Sequence, residues 1–187
     1  MRVISGSARS LILKTPKGDA TRPTTDKIKE TLFNMIANEL YGVRFLDLFA
    51  GSGAIGIEAL SRGAGEAVFV DISRDAIECV KENLIHTKLN NKAAVIRGNY
   101  NSALKSLEGQ GKKFDMVFLD PPYNKGIEDK CLKLLDDYAL IDSTTLIIIE
   151  EDIATDISHL EEKWCIDKIK LYKSNKHIFL HKRGSDG

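Results

Sequence analysis

Residues 114–123 read Phe-Asp-Met-Val-Phe-Leu-Asp-Pro-Pro-Tyr, an apolar run that ends in an acid, two prolines and an aromatic. The first six residues are typical of a buried strand in a parallel sheet. Because prolines cannot donate hydrogen bonds to a neighbouring strand, the strand must end at Asp120 and the chain must turn. Ligands of open α/β sheets bind at the carboxyl ends of the strands. The pattern therefore predicts an α/β fold with a functional site at residues 120–123.

The chemistry of the Asp120-Pro121-Pro122-Tyr123 tetrad suits an exocyclic amino group on a planar base. Asp120 and a proline carbonyl can accept the two hydrogens of such a group, and Tyr123 offers a face for stacking. Acceptors that localise the nitrogen lone pair would turn the amine into a nucleophile. The alternative interpretation of the tetrad is a plain turn after a core strand.

The rest of the chain alternates strand and helix patterns. The predicted strands lie near residues 43–49, 66–71, 92–97, 114–119 and 144–150, and the predicted helices near 53–62, 73–88, 100–108 and 126–139. An earlier helix is predicted to begin at residues 23–26 with Thr24 as its N-cap, and its apolar face extends to Leu40. This alternation indicates a doubly wound, mostly parallel sheet.

The two ends of the chain differ from the middle. The β-prone runs Trp164–Tyr172 and His177–Lys182 predict an antiparallel hairpin that closes the sheet. Residues 1–22 predict a small basic β-hairpin, an extension outside the main sheet but within a single domain of residues 1–187. We found no repeat and no linker.

A glycine-rich loop follows the first predicted strand. Residues 47–56 contain Gly51, Gly53 and Gly56 in the spacing G-x-G-x-x-G, which indicates close approach of the backbone to a ligand. A dinucleotide site is the alternative. Asp47 argues against it, because pyrophosphate would gain nothing from an acid there. A carboxylate at that position could bind a cationic amino-acid moiety or order the loop.

Two further polar residues follow predicted strands. Asp71 ends the second strand and could accept hydrogen bonds from both ribose hydroxyls of an adenosine. It could instead be an N-terminal helix acid, since Ser73 follows as a cap. Asn99 ends the third strand and could bind an adenine edge or simply turn the chain.

Charge is distributed unevenly although the net charge is zero. Residues 1–29 and residues 163–187 each carry seven Lys/Arg and two Asp/Glu, whereas residues 30–162 carry thirteen and twenty-three. Basic ends on an acidic body indicate a polyanionic partner, or simply solvated ends.

Other classes of protein are disfavoured. No apolar run approaches the ~20 residues of a membrane span, and the N-terminus is no signal peptide. The three cysteines are far apart, which suits the reducing cytoplasm, and the four histidines lie in no ligand spacing, so no metal is expected.

Together, Asp47-x-x-x-Gly51-x-Gly53, Asp71 and the tetrad resemble a class I S-adenosylmethionine-dependent amino methyltransferase. Residues 2–6 and 22–34, the latter beginning Arg-Pro-Thr-Thr-Asp, further resemble the bacterial RsmD family. That resemblance covers nearly the whole chain. It implies methylation of guanine N2 in 16S ribosomal RNA, with S-adenosylmethionine as cofactor and the free RNA or the assembled or assembling small subunit as partner.

The resemblance also implies roles for individual residues. The catalytic set comprises Asp120, Pro121, Pro122 and Tyr123. The cofactor-binding set comprises Asp47, Ala50, Gly51, Ser52, Gly53, Asp71, Ile72, Asn99 and Asp120. The RNA-binding set comprises Arg2, Arg9, Lys14, Arg22 and Thr24. Two other functions compete with this one: a DNA adenine-N6 methyltransferase, which would need a separate DNA-recognition region, and a non-catalytic RNA-binding protein on the same fold.

Overall fold

The computed structural model describes residues 1–16, 25–123 and 125–184 and contains a seven-stranded sheet in the order β3-β2-β1-β4-β5-β7-β6. The strands are β1 Arg44–Asp47, β2 Glu66–Asp71, β3 Ala93–Arg97, β4 Met116–Leu119, β5 Leu146–Asp152, β6 Trp164–Leu171 and β7 Asn175–Lys182. The helices are α1 Asp26–Met35, α2 Ala54–Ser61, α3 Arg74–Thr87, α4 Tyr100–Gly109 and α5 Ile127–Asp137.

The first five strands are parallel, as the alternation of strand and helix patterns predicts. The apolar side chains of these strands are buried on both faces of the sheet. One buried cluster joins the sheet to α1, α2 and α3, and a second joins it to α4 and α5. A strand that is covered on both faces has a continuous apolar sequence, and β4 shows this pattern clearly.

Helix α1 differs from its prediction at both ends. Its N-cap is Thr25, whose hydroxyl accepts a hydrogen bond from the backbone N–H of Ile28 at 3.3 Å, so the prediction of Thr24 as the cap is wrong. The helix ends at Met35 because Ile36 leaves helical geometry, with φ −108°. The chain continues through a 3₁₀ turn, Ala37–Glu39, and still buries Leu40.

The C-terminal hairpin forms as predicted and completes the sheet. Strand β7 lies between β5 and β6 and is antiparallel to both. The strand begins at Asn175, two residues before the predicted start. The earlier start follows from the pairing of Asn175 and Lys176 with Asp152 and Glu151 of β5. The side chain of the buried Lys176 also donates hydrogen bonds to the carbonyl oxygens of Ile153 and Thr155.

The N-terminal segment lies outside the seven-stranded sheet but packs against its helices. Arg2 and Ile12 form a single antiparallel bridge, and the side chains of Val3, Ala8 and Leu13 are buried in the core. Gly6 has φ +86°, and a Cβ there would lie 1.8 Å from the carbonyl oxygen of Ser61 in α2. The described part of this segment is therefore closely packed against the body of the protein.

A buried ion pair holds this segment and α1 on α2. The ammonium of Lys29 lies 3.1 Å from a carboxylate oxygen of Glu58, and both side chains are fully buried. Glu58 also accepts the backbone N–H groups of Ile4 and Ser5 and pairs with Arg62. Lys29, one of the seven basic residues counted in the N-terminal stretch, is thus not available to a polyanion.

Candidate active site

The carboxyl ends of three neighbouring strands bring three acids to one edge of the sheet. Asp47 ends β1, Asp71 ends β2, and Asp120 directly follows β4. Strand β1 lies between β2 and β4, so the glycine-rich loop after β1 is flanked by the other two acids. Sequence spacing alone could not show that residues so far apart in the chain are neighbours.

The glycine loop turns tightly into α2. Gly51 and Gly53 have φ +52° and +78°, conformations that favour glycine, and the N–H of Gly53 donates to Ala50 O at 2.7 Å. A Cβ on Gly51 would meet no atom within 4 Å, so this backbone faces open space that a ligand can occupy. A Cβ on Gly56, in contrast, would lie 2.3 Å from the ring of Phe69. The third glycine therefore serves helix–sheet packing.

The carbonyl of Ser52 fixes the loop from the other side. Its oxygen accepts a hydrogen bond from the side-chain amide of Asn83 in α3 at 2.9 Å. Asn83 is buried and also donates to Lys14 O at 3.0 Å. The loop is thus tied to both α3 and the N-terminal segment.

Asp47 is buried and orders the loop. One of its carboxylate oxygens accepts a hydrogen bond from the backbone N–H of Gly56 at 3.0 Å. Burial raises the pKa of Asp47 from 3.8 to about 7, with a further contribution from the charge of Asp71. Of the two roles that the sequence left open, this contact supports the ordering of the loop; contact with a cationic ligand stays a prediction.

Asp71 orders the glycine-rich loop and the start of α3, and its contact with ribose hydroxyls stays a prediction. Its carboxylate accepts hydrogen bonds from Gly51 N–H at 2.9 Å and Ser73 N–H at 2.8 Å, and Ser73 caps α3. A carboxylate has about four lone-pair sites, so acceptors remain for hydroxyl groups of a ligand. The next side chain, Ile72, is 70% exposed and offers an apolar surface at the same edge.

Asn99 serves as the N-cap of α4. Its side-chain oxygen accepts a hydrogen bond from the backbone N–H of Ser102 at 2.8 Å. This geometry corresponds to the chain-turning role. A contact between this exposed side chain and adenine stays a prediction.

The tetrad leaves the sheet beside β5. Pro121 is buried, Pro122 is exposed, and Tyr123 is half-buried, with its hydroxyl 3.4 Å from a carboxylate oxygen of Glu150. Asp120 is partly exposed, but burial of its carboxyl group and the nearby charges of Glu150, Asp47 and Glu151 raise its pKa well above the usual value. Burial and the charge of Glu150 also raise the pKa of Tyr123. The tetrad therefore presents a carboxyl group with high proton affinity next to an anchored aromatic ring.

Sequence reasoning missed the polar residues behind the tetrad. Glu150 in β5 binds Asn175 and His177 of β7 as well as Tyr123. The one signal in the sequence was the acidic pair Glu150-Glu151 at the end of the apolar run Leu146–Ile149. Asn175 and His177 gave no signal, because their proximity to Glu150 depends on the pairing of β5 with β7.

The predicted RNA-binding residues divide into three groups. Arg2 pairs with Asp26 at 3.1 Å, and Lys14 pairs with Glu82 at 2.8 Å, so both charges are partly neutralised. Arg9 is exposed and has no acid partner among the described residues. Arg22 and Thr24 lie outside the described residues.

Two features are absent from the described ranges 1–16, 25–123 and 125–184. No helix in them is long and apolar enough to cross a membrane. They contain no group of three or more His, Cys, Asp or Glu side chains that could hold a metal ion.

The donor set at the strand ends fits S-adenosylmethionine. The open backbone at Gly51 can approach the methionine part, the remaining lone pairs of Asp71 suit the ribose hydroxyls, and the exposed Ile72 suits the adenine face. The tetrad beside the loop suits a methyl acceptor. Fold and site together define a class I S-adenosylmethionine-dependent methyltransferase.

Comparisons with known proteins identify the family. The family model described as "Conserved hypothetical protein 95" matches residues 1–181, and the chain belongs to this family, the RsmD family. The predicted fold class, family and cofactor are thus confirmed.

Named relatives agree with this assignment. A Bacillus subtilis protein named "Putative rRNA methyltransferase YlbH" is 46% identical over 81% of this chain and 83% of its own length. The Escherichia coli K12 "Ribosomal RNA small subunit methyltransferase D" is 34% identical over 91% of this chain and 84% of its own. The solved structure "Putative methyltransferase yhhF from Escherichia coli" superposes with a TM-score of 0.86 at 32% identity, covering 98% of each chain.

Proposed function

We propose that this protein methylates the exocyclic N2 amino group of a guanine in 16S ribosomal RNA, in the cytoplasm, with S-adenosylmethionine as the methyl donor. The observation that carries the proposal is the position of the tetrad: Asp120 and Tyr123 lie at the same edge of the sheet as the glycine loop and Asp71. The names of the relatives support ribosomal RNA of the small subunit as the substrate.

The cofactor would be held by residues of three strand ends. The backbone at Ala50, Gly51, Ser52 and Gly53 would surround the methionine part, with Asp47 ordering this loop beneath it. Asp71 would bind the ribose, and Ile72 and Asn99 would contact adenine. When bound, the cofactor supplies a methyl group activated by its sulfonium.

The acceptor amine would be held by the tetrad. A proline carbonyl and the carboxyl group of Asp120 can accept its two hydrogens, and the ring of Tyr123 can stack on the guanine. Alignment of the nitrogen with the methyl group is the main task of such a site. The methylated amine must then lose a proton, and Asp120 is suited to receive it because its pKa is raised.

Binding of RNA would involve the basic N-terminal segment. Arg2, Arg9 and Lys14 lie on it, and Arg22 and Thr24 follow in the sequence. The exposed Arg9 is the residue we expect to contribute most to phosphate binding, because Arg2 and Lys14 are paired with acids. The substrate would be the RNA, free or within the assembled or assembling small subunit.

Methyl transfer to isolated ribosomal subunits tests this function. Small subunits from cells that lack the protein are incubated with the purified protein and labelled S-adenosylmethionine, and the RNA is digested to nucleosides. We expect label in N2-methylguanosine, and none when subunits from wild-type cells are used. Label transferred instead to adenine in duplex DNA would support an adenine-N6 methyltransferase, and RNA binding without transfer would support a non-catalytic protein.

The role of Asp120 is tested with Asp120→Asn. The amide replaces one acceptor oxygen with a donor and removes the proton-accepting carboxylate. We expect the single-turnover rate of methyl transfer at saturating RNA and cofactor to fall by about 10²-fold, the effect of removing one preorganised electrostatic partner. Binding of RNA should change little, since phosphate contacts and stacking dominate its affinity.

Asp115→Asn is the matched control for this variant. It makes the same chemical change just before β4, where Asp115 pairs with Arg44 away from the site. This control should methylate at the wild-type rate. A near-normal rate for Asp120→Asn with full cofactor occupancy would leave the tetrad as a simple turn.

A further inference from the structure

Behind the tetrad lies a chain of buried polar side chains that the proposed reaction does not explain. Glu150 is 6% exposed, and one of its oxygens accepts hydrogen bonds from Asn175 at 2.6 Å and from Tyr123 at 3.4 Å. Its other oxygen lies 3.0 Å from Nε2 of the fully buried His177. The opposite ring nitrogen of His177 lies 3.2 Å from the hydroxyl of Tyr172.

Strand pairing fixes where this chain of contacts lies. The parallel pairing of β4 with β5 ends at Leu119 and Ile149, and Asp120 and Glu150 are the residues that directly follow this last pair. Glu150 is in turn paired with His177 of β7. Neighbouring strands of a sheet lie about 4.7–4.9 Å apart. Three neighbouring strands therefore place an acid, an acid and an imidazole in one row at the carboxyl edge of the parallel sheet.

The composition of this row is unusual for a sheet interior. A buried carboxylate is destabilising unless it is fully hydrogen-bonded, and apolar residues of similar volume would pack as well or better. The neighbouring strand positions on the same face, Phe118, Ile148 and Phe179, are apolar and belong to one core cluster. The polar residues thus begin where the tetrad begins, and one of their contacts is the hydroxyl of the tetrad tyrosine.

We propose that Glu150 is a positioning residue of the methyl-acceptor site: held by Asn175 and His177 of the C-terminal hairpin, it anchors the hydroxyl of Tyr123 and so fixes the plane on which the base stacks. This inference rests on the proposed function. It assigns to the hairpin β6–β7 a part in the acceptor site in addition to closing the sheet.

The physical basis is the small freedom of an anchored tyrosine. Its ring direction depends on two side-chain torsions, and a hydrogen bond at the far end of the ring restricts both. A stacked guanine takes its orientation from this ring, so a tilt of the ring moves the amino nitrogen off the line of methyl transfer. Glu150 also lies beside Asp120 and contributes to the raised pKa of that acid. The effect of Glu150 should therefore appear in the methyl-transfer step rather than in cofactor binding.

A double-mutant cycle of Tyr123→Phe and Glu150→Met tests the proposal. Phenylalanine keeps the stacking ring but has no hydroxyl to anchor, and methionine keeps the volume of glutamate but has no carboxylate. We expect each variant to lower the single-turnover rate about tenfold, the scale of one lost hydrogen bond. The double variant should be no slower than the slower single variant, because both remove the same contact.

Two matched variants separate positioning from stability. Glu150→Gln keeps an oxygen that can accept the hydroxyl of Tyr123, and we expect it to restore the rate to within about threefold of wild type. Tyr172→Phe removes a hydroxyl from the other end of the same chain of contacts without touching the tetrad. It should lower the free energy of unfolding about as much as Tyr123→Phe does, while leaving the methyl-transfer rate near that of wild type.

The outcomes are distinct. Three results would each overturn the proposal. The first is a rate of the double variant that is lowered by the product of the two single effects. The others are a wild-type rate for Tyr123→Phe and equal decreases of rate in Tyr172→Phe and Tyr123→Phe. The Tyr123→Phe and Tyr172→Phe comparison decides it even if Glu150→Met does not fold. If the wild-type protein transfers no methyl group to guanine of small-subunit RNA, the proposed function itself fails. Cofactor affinity, measured by calorimetry, should be the same in all variants.

Discussion

Replacement of Asp47 by asparagine should remove one cause of the pH dependence of the free energy of unfolding. Asp47 is buried, and its pKa is raised from 3.8 to about 7. Because ionised Asp47 is disfavoured only in the folded state, the folded protein binds more protons than the unfolded chain between these two values. The free energy of unfolding of the cofactor-free protein should therefore fall as pH rises from about 4 to about 7. The rise in pKa corresponds to a decrease of about 4 kcal/mol in the free energy of unfolding across this pH range.

Asparagine is neutral at every pH in this range and can still accept the Gly56 N–H with its side-chain oxygen. The contribution of residue 47 to the pH dependence should therefore vanish in Asp47→Asn. Urea unfolding followed by the fluorescence of Trp164 at pH 5 and pH 7.5 measures the difference. We expect the wild type to lose about 2–4 kcal/mol more than the variant between these conditions. Parallel pH profiles for the two proteins would show that Asp47 ionises normally and would refute the assigned effect of burial.

Two further variants test the glycine-rich loop and its packing. Asp71→Ala should weaken S-adenosylmethionine binding by about 1.5–3 kcal/mol, the scale of hydrogen bonds to a charged group. The variant should also leave the N–H of Gly51 without its carboxylate acceptor. Unchanged affinity in calorimetry would remove Asp71 from the site. Gly56→Ala should lower the free energy of unfolding by about 1–3 kcal/mol, since its Cβ would lie 2.3 Å from Phe69. The control is Gly109→Ala, at an exposed helix position where a Cβ meets nothing within 4 Å. This variant should be neutral or stabilising by up to about 1 kcal/mol. Equal decreases in the free energy of unfolding of Gly56→Ala and Gly109→Ala would show that contact with Phe69 is not the cause.

Patterns of short range allowed most of the fold to be predicted. The alternation of apolar runs and amphipathic segments located all five parallel strands and the C-terminal hairpin. The glycine spacing located the loop, because positive φ angles at Gly51 and Gly53 are a local property of the backbone. The errors lay at element ends, such as the N-cap at Thr25 and the early end of α1 at Met35. Both depend on small energy differences between neighbouring residues, which a pattern does not resolve.

The sequence by itself determined the class of fold, the glycine-rich loop and the tetrad, since each of these depends on patterns within short runs of residues. Only the tertiary structure decided how distant residues act together. The burial of Lys29 against Glu58 and the contacts of Glu150 with Asn175 and His177 join residues from separate elements. Strand order and register create these contacts, and charge or spacing along the chain carries no trace of them. For the same reason, the sequence does not show that the pKa of Asp47 is unusual. Burial in the folded protein raises this pKa to about 7.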